Sequence, residues 1–502
     1  MSNPFAIGSG SISIEDVQAL LKDKRHLSLN DHARQKVIDC RNYLEDKLSQ
    51  NDESYYGINT GFGDLCNVVI PKKDIGQLQY NLLVSHACGV GPQIDPEVVR
   101  IMLILKVNSL ALAYSGVRIV LIEKLIELYN RNLIPVVYQF GSLGASGDLA
   151  PLAHMSLPLI GKGELYIEGK KTDVESNIAS IGFENISLES KEGLALINGT
   201  QFMAAFACQN MIRAKRIIKW ANLIAAVAVD GYMAKTKPFT AEIHNIRLHP
   251  GQQASAAIIR EYLSDSPIAQ LKKQQVQDPY SFRCIPQVHG ASMDALAHCE
   301  EVCTREMNAV TDNPGIFYEQ DLMVSGGNFH GQAIAMALDY MAIAVAELGN
   351  ISERRTYLML NGKRGLAPFL IQDPGLHSGL MIPQYTAASL VSYNKQLCTP
   401  ASVDSIPSSN GQEDHVSMGA NAAVQCSQVI DNVEQVMAIE LLTACQALSF
   451  RRPLKSSELI EKLYADFREI VSFNQADRVL YKDIRNTVEF MKNYDWTNNT
   501  IL

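Results

Sequence analysis

Gly141-Ser142-Leu143-Gly144-Ala145-Ser146-Gly147-Asp148-Leu149-Ala150-Pro151-Leu152-Ala153 is the stretch on which the reading of this chain turns. Its glycines at 141, 144 and 147 open backbone geometries closed to other residues. By spacing alone the segment is a tight turn, a helix start capped by Asp148, or a phosphate cradle. The nucleotide patterns fail, because the Walker lysine is missing and no strand-to-helix GxGxxG is present. A sharper chemistry is also open to it. With small residues at both ends, the Gly147 amide nitrogen can close on the Ala145 carbonyl carbon. Loss of two waters, one taking the Ser146 hydroxyl, leaves a methylidene group conjugated to a ring carbonyl. No ordinary side chain supplies such an electrophile.

Outward from this loop, helical signals dominate. Residues 98–132, 200–234, 293–310, 331–360 and 417–448 carry apolar side chains at helical spacing. The first run stops at Pro135, the second before Pro238, and the third at Thr311-Asp312-Asn313-Pro314. Many of these helices are apolar on most faces, so they must be buried on several sides, in a bundle or between subunits. An oligomer is expected. Strand signals are sparse: Glu164 to Lys170 reads as a small hairpin with Gly169 at its turn.

Composition narrows the function. The chain has 502 residues, 47% hydrophobic and 19% charged, with a net charge of −9. That balance leaves no basic footprint for nucleic acid or an anionic membrane. The start, Met1-Ser2-Asn3-Pro4-Phe5, lacks the pattern of a signal peptide. The most apolar stretches, 217–234 and 333–348, are interrupted by Lys219, Asp230, Asp339 and Glu347, so they read as buried helices, not membrane spans. Ten scattered cysteines fit a reduced, cytoplasmic protein. Cys299 and Cys303 sit beside His298 at i,i+4, but no second cluster completes a metal site, and they read as buried helix cysteines.

The 141–153 loop resembles the prosthetic-group loop of the aromatic amino acid lyases, in which Ala-Ser-Gly becomes 4-methylidene-imidazole-5-one (MIO). Six blocks carry the resemblance, from Tyr56 to Asp414. It implies a mainly α fold, with a long central helical bundle, a smaller N-terminal domain (1–110, carrying a lid loop and Ser85-His86) and a helical domain (111–502). It also implies a cytoplasmic homotetramer whose active sites draw on more than one subunit, with MIO formed from Ala145, Ser146 and Gly147, and no metal or nucleotide.

Each remaining block has a plain reading beside the one the resemblance implies. Tyr56-Gly57-Ile58-Asn59-Thr60-Gly61-Phe62-Gly63 is a flexible connection, or a lid whose Tyr56 is the base for the β-proton. Asn198 is a helix cap, or an amide facing the prosthetic group and substrate. Gln277-Asp278-Pro279-Tyr280-Ser281-Phe282-Arg283-Cys284 is a turn with a solvated arginine. The resemblance instead gives Arg283 to the substrate carboxylate, puts Tyr280 near the methylidene, and lines the pocket with Gln277. Phe329, in Ser325-Gly326-Gly327-Asn328-Phe329-His330-Gly331, is core or pocket wall, and His330 is structural. Glu413, in Gln412-Glu413-Asp414-His415, belongs to a salt-bridged helix start or reaches the active site.

The resemblance puts Ser85-His86 at the family's selectivity position and Glu413 in the pocket, and the donor and acceptor nitrogens of an imidazole suit His86 and Glu413. A phenyl ring would leave them unpaired, at about 1–3 kcal/mol each. The resemblance therefore implies L-histidine as substrate, with its amine or its imidazole ring adding to the methylidene and Tyr56 or Glu413 removing the β-proton. The products would be urocanate and ammonia. A tyrosine or phenylalanine lyase, an aminomutase, and a non-catalytic helical scaffold are the competing readings.

Overall fold

The computed structural model of the chain describes residues 3–50 and 53–496, so the Met1-Ser2 end of the signal-peptide reading lies outside the described residues. Helices carry the architecture. The longest are Gln201–Gly231, Ile285–Met307, Gln332–Met359 and Gly419–Ser449. Their sequences are rich in Ala, Leu and Met and hold few residues that compete with helical backbone. Strands form only small sheets of two or three. The expected hairpin is one of them: Glu164–Ile167 pairs antiparallel with Lys170–Asp173. Its two turn residues, Glu168 and Gly169, both have positive φ, as a tight hairpin turn requires.

One expected helix is two. The 98–132 run divides into Pro96–Ala111 and Ile119–Asn130. Ala113 and Gly116 reverse the chain between them at φ 66° and 63°. A Cβ on Gly116 would fall 2.4 Å from Ile316 Cδ1, so the turn is packed as well as bent. Periodicity passed over it because both flanks are apolar. The 293–310 run also starts earlier than its pattern, at Ile285.

The chain divides into two compact units that are not consecutive in sequence. The first comprises residues 1–212, 300–339 and 400–424; the second comprises 213–299, 340–399 and 425–502. The expected boundary at 110 falls inside the Pro96–Ala111 helix and within the first unit. The four long helices run from one unit into the other, so no single cut in the sequence separates them.

In the first unit the Pro96–Ala111 helix is buried continuously from Ile101 to Ala111, including Lys106 and Asn108. Gln332–Met359 is, among the described residues, the helix long and apolar enough to cross a membrane, yet 72% of its most apolar window is buried inside the fold. Its exposed positions include a narrow apolar stripe, Ala333, Met336, Tyr340 and Ile343, at the spacing of a helix–helix seam, and continue to Glu347, Arg354 and Tyr357.

Candidate active site

The 141–153 loop is clamped from both sides. Gly147 pairs with Gly199 as a parallel bridge, the Asp148 amide donates to Gly199 O at 2.8 Å, and the Leu149 amide donates to Ile197 O at 3.2 Å. Gly147 has φ 76°, and a Cβ there would lie 2.2 Å from Gly199 O. Only glycine satisfies both the dihedral and the contact. On the other side, Ser417 Oγ donates to Gly144 O at 3.0 Å and the Met418 amide donates to Leu143 O at 2.8 Å. Ala145 packs with Val416 and Met418.

Asp148 does not cap the helix that follows it. Ala150–Ser156 starts without a side-chain cap, and Asp148 Oδ2 instead accepts the Phe202 amide at 2.6 Å, in the first turn of Gln201–Gly231. Burial pushes its carboxyl up to about 8. Lys106 lies nearby, fully buried, with burial pushing its ammonium down to about 7. Its Nζ donates to Ala195 O at 3.0 Å and to Asn198 O at 2.9 Å. The segment ahead of Gly199 is thus fixed from below.

Ser146 is held at two atoms. Asn198 Nδ2 donates to its carbonyl oxygen at 2.6 Å, and its own Oγ donates to Glu413 Oε1 at 2.5 Å. The other carboxylate oxygen of Glu413 accepts from Ser408 Oγ at 2.6 Å. Asn198 Oδ1 is buried without a hydrogen-bond partner, an acceptor left open beside the loop.

These groups face a cavity of about 630 Å³, lined by Tyr56, Ser85, His86, Ser146, Asn198, Phe329 and Glu413 among others. Its apolar wall includes Leu78, Leu82, Leu194 and Ile197. Tyr56 Oη accepts the Gly63 amide at 3.2 Å, and burial raises its pKa above the ordinary 10. His86 Nδ1 lies 2.8 Å from Leu82 O. A carbonyl only accepts, so Nδ1 carries the proton and Nε2 is the acceptor nitrogen. Burial lowers the His86 pKa below 6.5 and keeps the ring neutral.

Three expected site residues are not among the cavity's lining. Gln277, Tyr280 and Arg283 belong to the second unit, where Tyr280 is 70% exposed. The Arg283 guanidinium sits 4.6 Å from the Tyr280 ring, and its buried Nε has no hydrogen-bond partner. Elsewhere, Cys299 and Cys303 are buried, and burial pushes the Cys299 thiol up to about 12. Among the described residues no group of three or more His, Cys, Asp or Glu is placed to hold a metal ion. His330 Nε2 lies 3.3 Å from His415 O, against the neighbouring segment.

Sequence reading missed part of the wall. Leu78, Asn81 and Leu82 stand at i, i+3 and i+4 along Ile75–His86, with the expected Ser85 at i+7, and helical periodicity could have found that face. Asn313 also lines the cavity, although it reads as a helix stop; its side chain accepts the Gly326 amide at 2.6 Å. Leu149 lines it too, at φ 51° and ψ −95°, a conformation that no local pattern announces.

The arrangement offers a small cavity with a hydroxyl, an amide donor on the same residue's carbonyl, a carboxylate, a neutral imidazole acceptor and a phenol. The profile of the family described as aromatic amino acid lyase matches residues 12–469. A histidine ammonia-lyase from Caldanaerobacter subterraneus subsp. tengcongensis is 46% identical over 488 residues, covering 97% of this chain and 96% of that one. The crystal structure of histidine ammonia-lyase from Trypanosoma cruzi superposes with a TM-score of 0.90 at 39% identity, covering 97% of this chain and 93% of that one. Tyrosine aminomutase from Streptomyces globisporus gives a TM-score of 0.92 at 33% identity, with 97% of each chain covered.

Proposed function

The chain belongs to the aromatic amino acid lyase family, and we propose that it eliminates ammonia from L-histidine to give urocanate. One observation carries the choice of substrate. His86 and Glu413 line the same cavity as Ser146, with the neutral His86 ring presenting Nε2 as an acceptor. An imidazole ring places polar atoms against His86 Nε2 and against the Glu413 Oε1 that loss of the Ser146 hydroxyl would free, whereas a phenyl ring would leave both unpaired. The name of the 46%-identical relative supports the same reading.

The loop fits the MIO group that the family uses. Gly147 has no room for a Cβ, its neighbours are small, and Asn198 already bonds the Ser146 carbonyl oxygen, which would become the ring carbonyl. Once formed from Ala145, Ser146 and Gly147, the group would supply an electrophilic methylidene for the substrate amine. The chain's own side chains then have separate tasks. The Asn198 amide holds the carbonyl oxygen where negative charge would collect. Tyr56 is the candidate base for the β-proton, with Glu413 as the alternative, and Phe329 closes the wall. Across the reaction the C–N and Cβ–H bonds break, a carbon–carbon double bond forms, and ammonia leaves. No metal or nucleotide is assigned a part.

Gln277, Tyr280 and Arg283 complete this reading from another subunit of a homotetramer, with Arg283 pairing the substrate carboxylate. The exposed seam of Gln332–Met359 supports assembly, since an apolar stripe of this kind is a packing surface. Cytoplasmic location follows from the reduced-cysteine reading.

The test is ultraviolet absorbance of the unsaturated acid formed from L-histidine, L-tyrosine or L-phenylalanine, each read at its own product's band, for the native chain and Ser146→Ala. Growth with histidine alone, lost in the variant, is expected. Turnover of tyrosine or phenylalanine would overturn the substrate, and return of ammonia to the β-carbon would make the chain an aminomutase. No turnover, with an intact mass that has not lost two waters, would favour the scaffold.

A further inference from the structure

We propose that Arg364 and Asp278 form a clamp that presents Arg283, making them positioning residues for the substrate carboxylate. The inference rests on the reading of Arg283 just given. All the side chains involved lie in the second unit.

The turn that carries Arg283 is bonded to itself. The Phe282 and Arg283 amides donate to Pro279 O at 3.0 and 3.1 Å, and the Cys284 amide donates to Tyr280 O at 2.8 Å. Such a short turn keeps its shape, but its own bonds do not set its direction. Direction comes from two anchors. At the first, Asp278 Oδ2 accepts the Lys235 amide at 2.7 Å and Oδ1 accepts from Arg364 Nη1 at 2.6 Å. Both charged side chains are buried, at 8% and 1% exposed. At the second anchor, Phe282 is buried and stacks on Tyr232, with centroids 4.4 Å apart and planes 7° from parallel. The Arg364 guanidinium covers Tyr232, 4.4 Å from the ring centroid.

One guanidinium therefore holds both ends of the turn, Asp278 by an ion pair and Phe282 through Tyr232. Only arginine combines a planar stacking face with a directed N–H fork; a lysine would keep the charge and lose the stack. Arg364 is itself at φ 59°, where a non-glycine residue is strained. Its carbonyl accepts from Arg451 Nη1 at 2.9 Å, and Arg451 Nε donates to Gly231 O at 2.8 Å, next to Tyr232. A buried ion pair of this kind adds little net stability compared with apolar packing, while its geometry fixes orientation. The clamp thus holds a turn whose Arg283 has no carboxylate in ion-pair range among the described residues.

The assembled enzyme is tested as Arg364→Lys, Asp278→Asn and Tyr232→Leu, with Arg283→Met as reference. Two inhibitors of histidine turnover are compared: imidazolepropionate, which carries a carboxylate, and 4-methylimidazole, which does not. Arg364→Lys should raise KM for histidine about tenfold or more, with a smaller fall in kcat. It should weaken imidazolepropionate by a similar factor and leave 4-methylimidazole and the loss of two waters in the intact mass unchanged. Asp278→Asn and Tyr232→Leu, which each release one anchor, should shift the same ratio less. Equal weakening of both inhibitors, or a chain that keeps its two waters, would mean a general structural role and overturn the clamp. If Arg283→Met weakens imidazolepropionate and none of the three clamp variants does, the clamp alone falls. If Arg283→Met has no effect on that inhibitor, the carboxylate reading falls with it.

Discussion

The Ser146 loop and the 277–283 turn are built alike and present their chemistry differently. Each is a short segment held by hydrogen bonds from distant parts of the chain: Gly199 and Ser417 for the loop, Lys235 and Arg364 for the turn. The loop's reactive residue faces a cavity in its own unit, where a carboxylate accepts from its hydroxyl and an amide donates to its backbone carbonyl. The turn offers an exposed tyrosine and an arginine whose Nε is unsatisfied. Rigid backbone therefore does not distinguish a complete site from a part of one. Convergence does: Ser146, Asn198, His86 and Glu413 line one cavity, whereas Gln277, Tyr280 and Arg283 are not among its lining, and each region keeps a buried polar atom, Asn198 Oδ1 or Arg283 Nε, that is costly until a ligand or a partner meets it.

Breaking the loop should have the largest effect. Ser146→Ala should abolish the two-water loss and reduce turnover by about a thousandfold or more. Gly147→Ala should do the same with Ser146 intact, since its Cβ would fall 2.2 Å from Gly199 O. Intact mass and turnover together check both variants, and a Gly147→Ala chain that still lost two waters would dissolve the argument from close approach. Tyr56→Phe comes next. Loss of a general base should cost about 10²–10⁴ in kcat with little change in KM. A comparable fall in Glu413→Gln, with Tyr56→Phe left active, would move the base to Glu413.

Selectivity should respond less. His86→Leu should cost about 1–3 kcal/mol in kcat/KM for histidine and narrow its margin over phenylalanine. The smallest effect is in pH. Burial holds the folded His86 pKa below 6.5, so the neutral ring's contribution to stability and binding is present above 6.5 and lost as pH falls through the lower folded value. The acid limb of kcat/KM should therefore include a step below pH 6.5 that disappears in His86→Leu. A kcat/KM that instead falls as pH rises through the His86 pKa would mean the ring binds substrate as a cation.

The legible part of the site was the part written in local patterns. Ala145-Ser146-Gly147, Tyr56, Ser85-His86 and Glu413 stand in short blocks whose residue types suit the chemistry, and the cavity gathers Ser146, Tyr56, Ser85, His86 and Glu413 from within one unit. Leu78, Asn81 and Leu82 were legible in principle through helical spacing. Lys106 was not: it reads as one cation in an apolar helix, and only the fold sets it under Asn198 O. Arg364 was not legible for the same reason, since its partners Asp278 and Tyr232 are far from it in sequence.

The amino-acid sequence by itself determined the helical class, the hairpin at Glu168-Gly169 and the chemistry open to a glycine-bounded Ala-Ser-Gly segment. Spacing, small residues and turn preferences act over a few residues, and a reader of the chain can evaluate them directly. The tertiary structure alone decided that the 98–132 run breaks at Gly116, that Asp148 caps a helix other than its own, and that the compact units are discontinuous. Those outcomes depend on contacts between segments far apart along the chain. Their energies exist only once packing has brought the segments together.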